Sequence, residues 1–189
     1  ASALIGIDEH QELAYVLRGD SLEFVFLEEG KSAVSKVPSR GLLSDGSVTA
    51  LARALGKGHQ LAMGTEDGRV IPVAIEFTQD FQGNERSIAS SVTVGTPMVA
   101  APTPQPITKM AYQSTDSDVR VAALLQDQHL WLTTSRSVSR PDGTAEASIT
   151  QVDLTSNIPG RVTAITLASR ADLLAVGTEE GKIYHFDLR

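Results

Sequence analysis

Two ten-residue stretches of this chain match along their whole length. Leu61-Ala62-Met63-Gly64-Thr65-Glu66-Asp67-Gly68-Arg69-Val70 and Leu174-Ala175-Val176-Gly177-Thr178-Glu179-Glu180-Gly181-Lys182-Ile183 are identical or chemically similar at each position. Each follows a second matched element, Val48-Thr49-Ala50-Leu51 and Val162-Thr163-Ala164-Ile165, at distances of 13 and 12 residues. Self-similarity at a near-constant interval marks a chain built from one supersecondary unit used several times, which restricts the fold more than any composition does.

Two weaker copies fall into the same frame. Val121 to Leu130 keeps the apolar pattern without the glycines and follows Ile107-Thr108-Lys109-Met110. Leu13 to Leu22 keeps a polar turn at Arg18-Gly19-Asp20-Ser21 and follows Ala3-Leu4-Ile5-Gly6-Ile7. The four blocks begin at residues 13, 61, 121 and 174, so the intervals are 48, 60 and 53 residues.

Each unit reads as short strands. Asp67-Gly68 sits between apolar runs, a strong hairpin signal because glycine accepts the positive φ of tight turns. The run after it alternates, with Val70, Pro72, Ala74 and Glu76 on one face and Ile71, Val73, Ile75 and Phe77 on the other. Period two means strand. Pro72 cannot donate to a ladder and points to an edge or a bulge. Val48 to Leu55 is the one contender for a helix, and the repeat assigns it to a strand. Ser91-Val92-Thr93-Val94 and Ala147 to Leu154 supply fourth strands. Residues 78–89 and 135–146 are polar and turn-rich and read as loops between third and fourth strands. Residues 96–106 carry four of the eight prolines and read as an extended connector.

Four-stranded units at this interval predict an all-β fold, a β-propeller fragment of about three and three-quarter blades. The blades are expected at 3–40, 48–96, 107–155 and 162–189, the last lacking a strand. The alternative arrangement of the same strands is a β-sandwich-like assembly. Propellers close with about four to eight blades. The chain opens on Ala1-Ser2-Ala3 with no initiator Met or signal-like segment, and it stops directly after a strand-like run. Residues 1–189 are therefore expected to be a single β-domain excised from a longer protein.

Composition excludes several functions. The net charge of −7 gives no general attraction for nucleic acid or anionic lipid. With no cysteine there is no disulfide, thiolate metal site or cysteine nucleophile. No run of eighteen apolar residues is present, hence no membrane-spanning helix within these residues.

Local motifs yield no catalytic, cofactor-binding or metal residues. Gly56-Lys57-Gly58-His59 lacks the spacing of a phosphate loop. His10, His59, His129 and His185 are far apart with no metal-ligand spacing. Asp116-Ser117-Asp118 starts like a calcium loop, but the glycine and glutamate that should follow are missing. Glu28-Glu29 and Glu179-Glu180 read as solvated hairpin acids, and Trp131 as a core anchor. Arg136, Arg140 and Arg161 read as solvated loop charges able to pair with an anion. No enzymatic activity and no cofactor are expected.

Two resemblances add to this reading. Gly181-Lys182-Ile183-Tyr184-His185-Phe186-Asp187-Leu188 resembles the end of a WD40 repeat, with Phe186 where that family has tryptophan, and Gly68-Arg69-Val70 begins the same way. This implies a WD40-like propeller. The segment Leu4 to Tyr15, followed by Leu22-Glu23-Phe24, resembles the start of the large soluble insertion in the permease subunits of certain proteobacterial phosphate-uptake ABC transporters. This second resemblance implies a non-catalytic, extracytoplasmic domain on the periplasmic side of the bacterial inner membrane, within a membrane-embedded parent chain. It would serve phosphate uptake by docking or regulation, with the phosphate-binding protein, other transporter subunits or a regulator as partners. The alternative expectation is a soluble WD40-like protein–protein interaction scaffold.

Overall fold

A computed structural model describes residues 3–7, 13–18, 21–27, 35–37, 47–56, 58–83, 85–116, 118–139 and 145–189. Four antiparallel sheets follow one another along the chain, each meandering outward from its first strand. The first contains β1 (Ala3–Ile7), β2 (Leu13–Arg18), β3 (Ser21–Phe26) and β4 (Ser35–Val37). The second contains β5 (Val48–Arg53), β6 (His59–Thr65), β7 (Arg69–Gln82) and β8 (Glu85–Val94), and the short β9 (Met98–Val99) pairs with the start of β7. The third contains β10 (Ile107–Ser114), β11 (Asp118–Leu125), β12 (Leu130–Ser139) and β13 (Ala145–Asp153). The fourth has three strands, β14 (Val162–Leu167), β15 (Leu173–Thr178) and β16 (Ile183–Asp187), with β16 at its edge. First strands neighbour first strands, β1 beside β5, β5 beside β10 and β10 beside β14. This is the blade arrangement of a β-propeller fragment and not a β-sandwich.

Strand alternation explains the packing. Leu61 and Met63 of β6 join a core with Leu13, Tyr15, Leu17, Leu22 and Phe24 of the first sheet, whereas Ala62 joins a core with the third sheet. In β11, Val121, Ala123 and Leu125 face the second sheet, and Ala122 and Leu124 face the fourth. A blade between two neighbours buries both faces, so its middle strand reads as an unbroken apolar run.

Three of the four inner strands, β5, β10 and β14, share one device. Ladder register shifts between Val48 and Ala50, between Ile107 and Lys109, and between Val162 and Ala164. The extra residue at each bulge is a threonine. Thr49, Thr108 and Thr163 donate through Oγ1 to the carbonyls of Gly64 (3.3 Å), Leu124 (3.0 Å) and Gly177 (3.2 Å) on the next strand. Each hydroxyl serves a carbonyl where the bulge interrupts the ladder.

The hairpins between second and third strands show why one copy of the repeat is faint. Gly68 and Gly181 take φ of +78° and +75°, and Gln128 takes φ of +70° at the equivalent place in the third sheet. Their N–H groups donate to Thr65, Thr178 and Leu125 in the same way. The geometry is retained although the glycine is not.

Two expectations need correction. The stretches 78–89 and 135–146 are largely strand: β7 runs to Gln82 against β8 from Glu85, and β12 runs to Ser139 against β13 from Ala145. Beyond Ile75, the last β7 residue paired with β6, the hairpin continues as a two-stranded arm. Phe81 near its tip is 68% exposed. An arm without a neighbouring strand needs no apolar face, so periodicity did not reveal it. Pro72 lies inside β7 rather than at an edge, yet its carbonyl accepts from the N–H of Gly95 just past the end of β8. Its nitrogen points to that same side, into the gap between β8 and β9, where no donor is required.

Gly68→Ala and Gly181→Ala separate conformation from crowding. At Gly181 an added Cβ meets nothing within 4 Å, so the cost is that of a left-handed alanine, about 1–2 kcal/mol. At Gly68 the added Cβ would also stand 2.9 Å from the Gln105 carbonyl oxygen, which is backbone and cannot step aside cheaply. Denaturant unfolding is expected to show the larger loss for Gly68→Ala, and equal losses would contradict this packing.

Candidate binding site between the third and fourth sheets

The sheets are held together by side chains that replace missing backbone partners. Gln113, 3% exposed at the end of β10, donates through Nε2 to the Leu55 carbonyl (2.7 Å) and accepts from the Leu55 N–H at Oε1 (2.8 Å). Its carboxamide thus acts as a strand partner for the β5–β6 loop. Arg120 of β11 does the corresponding work one sheet further on. Its Nη1 donates to the Leu188 carbonyl (2.9 Å) and to the Ala171 carbonyl in the β14–β15 loop. Between the first two sheets the link is aromatic. The Tyr15 hydroxyl meets Nδ1 of His59 at 3.2 Å, and the His59 ring stands edge-on to Phe77 with centroids 5.0 Å apart.

Beside Arg120 the strands gather a polar cluster. In the ladder Asp118 is opposite Arg136 and Arg136 opposite Ser148, while Arg120 is opposite Thr134 and Thr134 opposite Thr150. The two rows share one face of the sheet because alternate residues point the same way. Arg136 grips Asp118 in a fork, Nε to Oδ1 at 2.9 Å and Nη2 to Oδ2 at 3.1 Å, and Nη2 of Arg120 approaches Oδ2 at 3.4 Å. The Asp118 side chain is 11% exposed. The hydrogen bonds from Arg136 above all, with the charge of both guanidinium groups, hold its carboxyl below the usual value of 3.8 despite burial. A cavity of about 250 Å³ opens onto this face, lined by Arg120, Leu132, Thr134, Arg136, Ser148, Thr150 and Leu188.

A second cavity, of about 310 Å³, lies along the inner strands against Leu51, Thr108, Lys109, Met110, Thr163 and Ile165. It lies where the first strands of three sheets meet, and its lining includes the bulge residues Thr108 and Thr163 of the third and fourth sheets.

The other residues considered from sequence are scattered. His59 is buried in the aromatic link. His129 Nδ1 meets Asp153 Oδ2 at 2.7 Å, and that hydrogen bond raises the imidazole pKa above 6.5. His185 is exposed on β16, and His10 lies outside the described residues. Asp118 turns to the arginines and Asp116 is exposed, while Ser117 lies outside the described residues. Glu180 pairs with Lys182 at 3.0 Å in its hairpin, as Asp67 pairs with Arg69 at 2.6 Å in the matching one. Glu28, Glu29, Lys57 and Arg140 are outside the described residues. Trp131 is partly buried against the core between the second and third sheets. Arg161 is exposed, so of the two described arginines weighed from sequence, Arg136 enters the cluster and Arg161 does not. Arg120 and Gln113 were missed. The available signal was a polar residue inside the apolar run Val119–Leu125 and another directly after Met110–Tyr112.

No protein-family model matches the chain, and no curated protein matches it. Solved structures share its fold. The WD40 domain of SCAP from fission yeast superposes with a TM-score of 0.52 at 13% identity, over 98% of this chain and 39% of that one. Sqt1 from Chaetomium thermophilum gives 0.51 at 17% identity, over 94% of this chain and 40% of that one. The chain therefore spans about two fifths of the length of these propeller proteins. At such identities the likeness establishes the WD40-like fold.

Asp118→Asn is expected to lower stability by about 2 kcal/mol at neutral pH, the worth of a hydrogen bond to a charged group. A carboxyl held below its unfolded value stabilises above 3.8 and loses that contribution as pH falls through the lowered folded value. The gap between wild type and Asp118→Asn should therefore close under acid, as read by thermal unfolding across pH. His129 has the opposite sign. NMR titration should place its pKa above that of an unpaired histidine, and Asp153→Asn should bring it down.

Proposed function

We propose that this chain is a non-catalytic interaction module, a stretch of WD40-like propeller that presents a binding surface to another protein. The β7–β8 arm carries the reading. It extends beyond β6, is anchored in a sheet whose loop is stapled to the next by Gln113, and sets Phe81 in solvent at 68% exposure. A large aromatic on a projecting hairpin suits recognition because it offers apolar area at small cost in side-chain entropy. The WD40-like fold is compatible with this use, since its hairpins stand on a stiff scaffold.

The test is Phe81→Ser. An exposed side chain contributes little to folding, so the thermal midpoint should stay within the scatter of a surface substitution. Retention of the protein's partners in affinity capture from its source cells should fall. Unchanged retention would remove the arm from the interface.

A second reading keeps the resemblance of Leu4 to Tyr15 and Leu22-Glu23-Phe24 to the permease insertion. In it the module lies on the periplasmic side of the inner membrane and docks the phosphate-binding protein or another transporter subunit. Among the described residues no helix is long and apolar enough to cross a membrane, so this reading places the spans elsewhere in the parent protein. Partition of the full-length protein into inner membranes, together with loss of radiolabelled phosphate uptake on its deletion, supports this version. A full-length protein recovered outside the membrane fraction, with uptake intact on deletion, supports the general scaffold.

A further inference from the structure

We infer that the cavity between the third and fourth sheets is a binding site for a small tetrahedral oxyanion of the phosphate or sulfate type, recognised by Arg120, Arg136, Thr134, Ser148 and Thr150. Its volume of about 250 Å³ is ample for such a group. Every polar side chain in the lining is a guanidinium or a hydroxyl, so all can donate.

The donor supply exceeds the acceptors already present. Nε of Arg120 is buried and has no hydrogen-bond partner in the structure. Arg136 is 58% exposed, and its Nη1 makes no hydrogen bond among the described residues, so its two N–H groups are the donors an incoming oxygen can reach. No hydrogen bond engages the hydroxyls of Thr134, Ser148 and Thr150 among the described residues, and Ser148 and Thr150 are exposed to the cavity mouth. Asp118 is the carboxylate that faces these arginines, and it neutralises one of the two guanidinium charges. Asp187, near the end of β16, is taken by Arg189 at 2.6 Å. The cluster therefore keeps a net positive charge within a chain of net charge −7.

Asp118 also fixes geometry. Its fork on Arg136 commits Nε and one side of Nη2, leaving the rest of that guanidinium for a ligand. Donors arrive from three strands, Arg120 from β11, Thr134 and Arg136 from β12, and Ser148 and Thr150 from β13. Oxygens disposed around a tetrahedral centre can meet donors from three strands, whereas a planar carboxylate presents two oxygens in one plane.

The test is calorimetric titration of the 189-residue chain with inorganic phosphate, sulfate and acetate at low ionic strength, alongside Thr150→Val and Ser148→Ala. Both variants keep Arg120 and its contacts to the fourth sheet intact, and both residues are exposed, so folding should be unaffected. Phosphate and sulfate are expected to bind with Kd of about 1 mM or tighter. The double variant should weaken both about tenfold, the effect of losing hydrogen bonds to a charged group, with its thermal midpoint unchanged. No binding by the wild type, equal binding by the double variant, or acetate binding as tight as phosphate would each overturn the assignment. Interaction through the Phe81 arm is read out separately and does not depend on this result.

Discussion

Blades that radiate from a common axis must narrow where their inner strands meet, and everything else in this molecule accommodates that crowding. Between the second and third sheets the inner positions are filled by small residues, Ala50, Ala52, Ala54, Ala62 and Ala123. A Cβ on Gly64 would lie 3.1 Å from the Ile107 side chain and 3.2 Å from Met110 sulfur, so even a methyl there would oblige its neighbours to give way. Alternation of small and large side chains is how tapered β assemblies fill their interiors without voids. The cost is that alanine and glycine bury little apolar area, about 25 cal/mol for each Å² removed from water. Cohesion must then come from further out along each blade and from polar links, which is where Tyr15, Gln113 and Arg120 are found.

The parts of the fold legible in sequence are those whose local chemistry is obligatory. Gly68 and Gly181 occupy left-handed turns, and the alternation of Val70 to Phe77 follows from the burial of Ile71, Val73 and Ile75 against the first sheet while Pro72 and Ala74 on the other face are less covered. The third unit was faint because Gln128 accepts a left-handed conformation that the sequence gives no sign of. The outer arms were illegible for another reason. Past Phe77, which still packs into the first seam, β7 has no inner strand beside it, as β12 has none past Arg136, so backbone pairing with the outer strand leaves residue identity there less constrained. Of the candidate site, Arg136 was visible as an available charge. Arg120 and Gln113 were not, because their partners are the backbone carbonyls of residues 51 to 68 positions away. A link to a backbone atom leaves no trace in the identity of its partner.

The three seams between sheets are chemically unlike one another. The first is aromatic, with Tyr15, Phe24 and Phe77 around His59. The second is built of alanine with Gln113 as its polar link. The third is aliphatic, with Leu124, Leu130, Leu132, Leu174 and Val176, and carries the Arg120–Asp118–Arg136 cluster at its outer side. Repeat proteins whose units resemble one another risk docking the wrong pair of units during folding. Dissimilar seams oppose this, because an aromatic face cannot close on an alanine face without a clash or a void, and a buried guanidinium set against any other blade would lose its acceptors.

That argument bears on why the polar cluster sits where it does. Arg120 reaches two neighbouring carbonyls at one end of the fourth sheet, in the β14–β15 loop and just after β16, so its bonds form only when that sheet is seated. A leucine there would add apolar area yet leave the Ala171 and Leu188 carbonyls without this donor, at a cost comparable to the gain. Retaining arginine makes the seam specific rather than merely adhesive. It also leaves a cation at the surface of an otherwise acidic protein, held in place by Asp118 through Arg136. One residue thus joins blade order to local charge: the contacts that select the fourth sheet are the same contacts that keep a positive cavity open beside it.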